Sequence, residues 1–365
     1  MRICCMIASL RLGGAERQLA GLACMLKQAG HDAELLTYRD GDFYTPQLDK
    51  AGVNHVFIRQ KAGEMGLVRD IADHLETTGC DMLISFLAGT NIKACLVKRR
   101  LPGLKLIVSE RNTNINCMLH DRLRFALYRK YAWKVVCNSY AQTEFIRRHA
   151  PSLAGKLYTV PNFTDLELFH IKGARARAEG EPFRVVTTAR LAPRKNAPGL
   201  IRAAAQCPGI RFDWYGADEN DAYSTRCHKM IAELKLQDRF FIHPASASPE
   251  KIYGSADAFC LPSFYEGMPN SLAEAMACGL PAACSNVSDN GRYVIEGRNG
   301  FLFDPADSRQ IAAAITKLSQ MDATELEDAG IHSRALAEAA FNKQGFISRY
   351  LEIIGGPQGG TKREA

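Results

Sequence analysis

The chain has 365 residues and a mass of 40.3 kDa, more than one core of about 100 to 200 residues accommodates, so two domains are expected. With 47% hydrophobic and 23% charged residues, 29 Gly and 15 Pro, its composition excludes a collagen, a coiled coil and a disordered chain. The net charge of +7 is uneven: residues 1–180 hold 26 Lys and Arg against 17 Asp and Glu, and the remainder holds 20 against 22.

Short apolar or β-branched runs alternate with helix-period stretches along the whole chain, which is the pattern of parallel α/β architecture. In the first half, strands are predicted at Ile3–Ala8, Ala33–Tyr38, His55–Arg59, Met82–Phe86, Leu104–Ser109, Lys134–Asn138 and Leu157–Val160. The first helix, Ala15–Ala29, repeats Leu19, Leu22, Leu26 and Ala29 at three- or four-residue spacing and stops at Gly30, a residue suited to a left-handed C-cap. The stretch 172–182 (KGARARAEGEP) reads as an exposed linker. A second series of strands follows at Arg184–Thr188, Ile210–Tyr215, Phe240–His243, Ala258–Leu261 and Pro281–Cys284, then helices at 307–319, 324–340 and 342–354. The expected domains are 1–170 and 180–340, with the last helix packing back on the first and a disordered tail at 355–365. Two such domains facing across a cleft would bind a ligand between them.

The longest run free of Asp, Glu, Lys and Arg is 275–288, broken by Gly279 and Pro281, and is too short to span a bilayer. Residues 1–10 lack a signal-peptide pattern, so a cytoplasmic location is expected. The 12 cysteines are scattered, without a CxxC pair, among mostly apolar neighbours. They read as buried free thiols of a reducing compartment.

The basicity concentrates at 93–156, with 14 Lys and Arg against Glu110, Asp121 and Glu144. Such a run is a solvated face or a surface that meets anionic headgroups or a phosphorylated substrate. In 122–134 (RLRFALYRKYAWK), Leu123, Phe125, Leu127, Tyr131 and Trp133 interleave with cations, as in an interfacial element. This favours contact with the inner face of the cell membrane. No nucleic-acid-binding motif accompanies the charge, so nucleic acid is not an expected partner.

Chemistry is densest at 262–281, PSFYEGMPNSLAEAMACGLP. A loop with Pro262, Gly267 and Pro269 leads into a helix ended by Gly279 and Pro281, placing Glu266 on the approach and Glu274 in the first turns. The helix mouth offers unpaired backbone N–H groups and a positive dipole end, a site for phosphate.

Glu266 and Glu274 within EGMPNSLAEAMACGLP resemble the signature of retaining glycosyltransferases of family 4, which have the two-domain GT-B fold with Rossmann-like parallel sheets. Supporting pieces fall in order: LGGAER at 12–17, ARLAPRKN at 189–196, WYGADEN at 214–220, SPEKIYGSADAFCLPS at 248–263 and NGFLFDPAD at 299–307. The resemblance implies that Gly13 and Gly14 let the backbone approach the donor. It implies that Arg190 and Lys195 hold the diphosphate in place of a metal, that Glu266 sits by the donor sugar and that Glu274 binds the ribose. Gly216, Gly267, Met268, Pro269, Asn270, Ser271 and Leu272 complete the donor residues it implies. Glu16 matches either a first-turn acid favoured by the helix dipole or an acceptor-side group.

Three departures bear on substrate. Where many relatives carry a His after the fifth strand, this chain reads Ser109-Glu110-Arg111-Asn112. That form resembles a subset acting on lipid-linked or cell-surface oligosaccharides, often with N-acetylhexosamine donors. Glu110, Arg111 and Asn112 are therefore acceptor candidates, against a strand-end ion pair as the structural reading. His120-Asp121 reads as a helix start rather than the missing His. The usual Gly-x-Gly is Gly216-Ala217-Asp218, and His243-Pro244 stands near the expected base position.

The implied reaction moves a hexose or N-acetylhexosamine from a nucleoside diphosphate sugar, UDP ahead of GDP, to a lipid-linked or saccharide acceptor, with no metal or other cofactor. Rival readings are a sugar-nucleotide epimerase or hydrolase on the same fold and a degenerate, non-catalytic binding protein. A NAD-dependent dehydrogenase is not expected, because no GxGxxG follows the first strand.

Overall fold

A computed structural model describes residues 1–60, 63–170, 177–178, 180–216 and 222–355. Most of the expected linker 172–182, the pair Asp218-Glu219 and the tail beyond Gly355 lie outside the described residues. The chain divides into two compact units: Met1–Asn162 with the C-terminal stretch from Gln344, and Phe163–Lys343.

The first unit runs β1 (Arg2–Met6), α1 (Gly14–Gln28), β2 (Asp32–Thr37), α2 (Thr45–Lys50), β3 (Asn54–Phe57), α3 (Gly63–Thr77) and β4 (Met82–Phe86). It continues with α4 (Ala88–Arg100), β5 (Lys105–Glu110), α5 (Leu119–Tyr131), β6 (Lys134–Cys137), α6 (Tyr140–His149) and β7 (Leu157–Thr159). The strands form one parallel sheet in the order β3-β2-β1-β4-β5-β6-β7. Their near-continuous apolar runs are what a sheet covered on both faces requires. Leu36, Leu83, Leu106 and Val135 pack on one face against Leu67, Ile71, Phe125 and Tyr128. Helix α1 ends where expected, at Gly30 with φ +85°, a conformation open to glycine without steric cost.

The second unit begins with β8 (Phe183–Thr188), α7 (Ala197–Ala204), β9 (Ile210–Tyr215), α8 (Ala222–Glu233), β10 (Phe240–His243) and α9 (Pro249–Tyr253). It goes on through β11 (Ala258–Leu261), α10 (Asn270–Ala277), β12 (Ala282–Ser285), α11 (Asn290–Tyr293) and β13 (Gly300–Phe303). Helices α12 (Ser308–Gln320), α13 (Ala323–Phe341) and α14 (Lys343–Gly355) close the chain. The parallel order β10-β9-β8-β11-β12-β13 repeats the doubly wound arrangement of the first sheet. Trp214, Ile201 and Ile315 fill one face, and Phe259, Leu272 and Phe341 fill the other.

Expected strands and late helices coincide with observed ones to within about two residues, the ordinary uncertainty of element ends. Two boundaries are corrected, and one strand is added. Residues 163–170, read as the end of the first domain, belong to the second unit. Phe169 is buried in its core, and the Arg334 guanidinium donates to the carbonyls of Phe169 (2.6 Å) and Leu166 (3.2 Å). Gly355, assigned to the tail, closes α14. Strand β13 was not expected, because a four-residue edge strand that opens on glycine has little strand pattern. Gly300 is needed there: a Cβ would lie 1.9 Å from the Ala282 carbonyl oxygen of β12.

Helix α14 groups with the first unit, as expected of the last helix, and buries Phe346, Tyr350 and Ile354. All 12 cysteines are free, nine of them buried. Burial raises the thiols of Cys95 and Cys137 to about 12, so they pack as small apolar side chains.

Candidate active site

In an open parallel sheet, ligands bind beyond the carboxyl ends of the strands where the strand order reverses. In the second unit that point lies between β8 and β11, which pair directly. The two loops leaving those ends carry the expected acid and cations: 189–196 holds Arg190 and Lys195, and 262–269 holds Glu266.

The loops are tied together. Asn196 stands in the left-handed region (φ +58°) as N-cap of α7, its side chain accepting from the Gly199 N–H. Its amide donates to the carbonyls of Pro262 (3.1 Å) and Pro305 (2.8 Å), and Phe264 N–H donates to the Arg194 carbonyl at 2.9 Å. Held this way, the buried Lys195 ammonium pairs with the buried Glu266 carboxylate. The Ser288 hydroxyl donates to the Glu266 main-chain carbonyl. Arg190 is exposed and makes no ion pair among the described residues, so its guanidinium is available to an anion.

Helix α10 opens directly after Gly267, Met268 and Pro269, and its first helical bond is Ala273 N–H to the Pro269 carbonyl, 3.3 Å. The N–H groups of Asn270, Ser271 and Leu272 precede that bond, the position from which helix amides reach a ligand. Glu274 is buried one turn in and accepts a hydrogen bond from the Tyr253 hydroxyl at 3.0 Å. Tyr253 has one proton to donate, so the Thr188 hydroxyl, 2.5 Å away, donates to it. Burial, reinforced by the Glu274 charge, pushes the Tyr253 phenol well above its ordinary range and keeps it a donor. Neither Tyr253 nor Ser288 was expected. Tyr253 lies inside SPEKIYGSADAFCLPS, where an aromatic before Gly254 reads as core.

Gly216 ends β9, and a Cβ there would fall 1.9 Å from the Ala189 carbonyl oxygen. Only glycine lets the two loop bases pass this closely. The other member of that motif, Asp218, lies outside the described residues. His243 is engaged within the fold: its Nε2 meets the Asp213 carboxylate at 2.6 Å and its ring stacks on Tyr215 with centroids 4.4 Å apart. Burial would raise the Asp213 pKa, but hydrogen bonds from Arg211, His243 and Arg184 bring it from 3.8 to about 2.

In the first unit, Gly13 is the N-cap of α1 and Gly14 its first residue. The Glu16 carboxylate folds back over Gly13, where a Cβ would come within 2.2 Å of it. That is the geometry of an N3 acid at a helix start. Glu110 is buried at the end of β5, accepts from Tyr128 Oη (2.5 Å) and pairs with Arg124 (3.2 Å). Arg124 also pairs with buried Asp121 at 2.8 Å, and Asp121 accepts from the Met118 N–H at 3.0 Å, confirming that His120-Asp121 opens a helix. Arg111, also buried, donates to Asn162 and lies over the Phe86 ring at 4.4 Å. Glu110 and Arg111 are thus enclosed, and Asn112 is the exposed member of the three.

Among the described residues no group of three or more His, Cys, Asp or Glu side chains could hold a metal ion, and no helix is long and apolar enough to cross a membrane.

Two family profiles match in tandem, Glycosyltransferase Family 4 over residues 12–168 and Glycosyl transferases group 1 over residues 172–339. The chain belongs to the family 4, group 1 glycosyltransferases. The crystal structure of Anabaena Alr3699/HepE in complex with UDP and glucose has the same GT-B fold, at TM-score 0.86 and 19% identity, over 98% of this chain and 100% of that one. Among curated relatives, this glycosyltransferase is 31% identical to O-antigen chain mannosyltransferase B of Escherichia coli over 36% of its own length and 35% of the relative. It is 28% identical to alpha-galactosylglucosyldiacylglycerol synthase of Streptococcus pneumoniae over 48% of its length and 49% of the relative. These matches span half or less of each relative.

Proposed function

We propose that this glycosyltransferase moves a hexose or N-acetylhexosamine, with retention, from a nucleoside diphosphate sugar to a lipid-linked or saccharide acceptor of surface polysaccharide assembly. The observation that carries the reading is the Lys195–Glu266 pair between loops at the reversal point of the second sheet. A buried ammonium beside a buried carboxylate, next to a helix mouth, suits a ligand that is anionic at one end and hydroxylated at the other.

In this mechanism the donor diphosphate lies against the α10 amides, and Lys195 with Arg190 neutralises charge as the nucleotide leaves. Each such charge-assisted contact contributes about 1.5–3 kcal/mol. Glu266, once Lys195 turns to phosphate, faces the sugar and stabilises an oxocarbenium-like state. Glu274, oriented by Tyr253, accepts from ribose hydroxyls. The acceptor hydroxyl enters on the face the nucleotide leaves, and its proton passes to a leaving phosphate oxygen.

The first unit takes the acceptor side. Asn112 and Glu16 are the contact candidates, Glu110 and Arg111 shape the loop that bears Asn112, and Gly13 and Gly14 keep the α1 entry free of Cβ atoms. A uridine donor is favoured over guanosine by the UDP in the Anabaena relative. The basic stretch 93–156 meets the anionic inner face of the cell membrane.

A panel of UDP- and GDP-sugars read by thermal shift tests the reading, because a ligand that binds the folded state raises the melting temperature with the logarithm of its free concentration over Kd. Selective stabilisation by one UDP-sugar is expected. Stabilisation by none would overturn the donor site, and release of free sugar with no acceptor would indicate a hydrolase.

A further inference from the structure

Helices α5 and α6, with residues 150–152 that follow α6, line an open surface groove of about 550 Å³ on the first unit. Its rim carries Arg122, Arg129, Arg148 and His149, and Phe125 lies at its floor. Arg122 and Arg129 form no ion pair among the described residues. Glu144 is shared by Arg147 (2.7 Å) and Arg148 Nε (2.9 Å), which leaves the terminal nitrogens of Arg148 free of it. His149 Nδ1 donates to the Phe145 carbonyl at 2.9 Å, since a carbonyl only accepts, so Nε2 is the nitrogen available to a ligand.

The next stripe of α5 is apolar and in solvent. Leu119 and Leu123 are 73% and 62% exposed, and Met118 and Ile115 just before the helix are 56% and 64% exposed. Arg122, Phe125, Ala126 and Arg129 repeat at three- and four-residue spacing, and Leu119, Leu123 and Lys130 follow on the adjacent stripe. A cationic groove and an apolar ridge therefore lie side by side on one helix. Large apolar side chains gathered in solvent beside cations are the pattern of an interfacial surface.

We propose that this face docks on an anionic phospholipid bilayer, with a headgroup phosphate in the Arg122/Arg129/Arg148 groove and Leu119 and Leu123 in the acyl boundary. The proposal rests on the membrane reading above and names the surface and the lipid chemistry. Arg122 and Arg129, which pair with no carboxylate among the described residues, suit a phosphate that brings its own charge, with Arg148 beside them bonded to Glu144 through Nε only, and the ridge beside them suits a ligand with apolar tails.

The test is sedimentation of the full chain with phosphatidylcholine vesicles, with and without phosphatidylglycerol. Binding is expected only when phosphatidylglycerol is present. R122A/R129A is expected to weaken it about 30-fold, since each cation near such a surface accounts for about five-fold. L119S/L123S is expected to weaken it about ten-fold or more per residue. R99A/R100A, which removes two exposed cations at the end of α4, is expected to leave it near the wild type. Equal loss in R99A/R100A would replace the groove with diffuse charge and overturn the proposal. Unchanged binding in both α5 variants would also overturn it. So would stabilisation by glycerol phosphate, abolished in R122A/R129A, without vesicle binding, because the groove would then take a soluble phosphate. UDP titration of the same variants by calorimetry shows that they are folded. It also separates this proposal from the donor reading: loss of vesicle binding with intact UDP affinity concerns the docking face alone.

Discussion

Each unit buries a carboxylate beside a cation, Glu110 at the end of β5 and Glu266 in the connection after β11, yet the two arrangements are built differently. In the first unit Glu110 is surrounded by Tyr128, Asn91 and Arg124, and Arg124 is shared with Asp121, so each partner is anchored on regular structure. In the second unit Lys195 and Glu266 both sit on loops, joined through Asn196 and the Phe264–Arg194 backbone bond. The first arrangement is closed and braces β5 against α5. The second joins a short 3-10 turn, Pro193–Lys195, to the loop that bears Glu266. Charge pairs alone therefore do not mark a site. The pair proposed as part of the donor site differs in that its members stand in the connections where strand order reverses.

Breaking the closed arrangement is expected to have the largest effect on stability. Arg124→Ala leaves Glu110 and Asp121 buried without their cation and is expected to cost about 3–5 kcal/mol, read by urea denaturation with the m-value unchanged. If the loss stays under about 1 kcal/mol, the level of a surface pair, the brace is not structural. Breaking the open arrangement is expected to act on turnover. Lys195→Ala is expected to lower kcat about 10²–10³-fold, as the loss of one transition-state donor does. Full activity in this variant would remove Lys195 from phosphate stabilisation.

Smaller changes sharpen the contrast. Tyr253→Phe removes one hydrogen bond to Glu274, a change of about 1.5–3 kcal/mol for a bond to a charged group. It is expected to raise KM for the donor more than it lowers kcat. An effect on kcat alone would assign Glu274 a role beyond ribose binding. The smallest effect concerns acid. Because the Asp213 pKa falls from 3.8 to about 2 in the folded protein, its stabilisation is complete above about pH 4 and is lost as pH falls toward about 2. Asp213→Asn is expected to flatten the stability profile in that window and to lower stability at neutral pH, where the carboxylate's contribution is complete.

Much of this was legible in the sequence because parallel strands covered on both faces read as apolar runs, and a doubly wound sheet repeats them at helix-sized intervals. The loop residues were legible through a different signal: Glu266 and Lys195 stand in motifs that resemble those of family 4 glycosyltransferases, and it is that resemblance, not composition or spacing, that singled them out. Tyr253 was not, because its function depends on a hydroxyl that meets Glu274 across 21 positions of chain. Gly216 was noted for its place in a motif, whereas its physical reason, the nearness of the Ala189 carbonyl, comes from the pairing of β8 with β9. Glu110 and Arg111 show the limit most clearly. Adjacent residues at a strand end point to opposite faces, so the pair that forms is Glu110 with Arg124, and Arg111 stacks on Phe86 instead.

The most direct test of the donor site is calorimetric titration of UDP into wild-type protein and Lys195→Ala, with Arg99→Ala as a surface-cation control. UDP is expected to bind wild type and the control alike and to bind Lys195→Ala about ten-fold or more weakly, as removal of a charge-assisted contact of about 1.5–3 kcal/mol requires. UDP binding to Lys195→Ala with wild-type affinity would contradict the placement of the donor diphosphate at the Lys195–Glu266 pair.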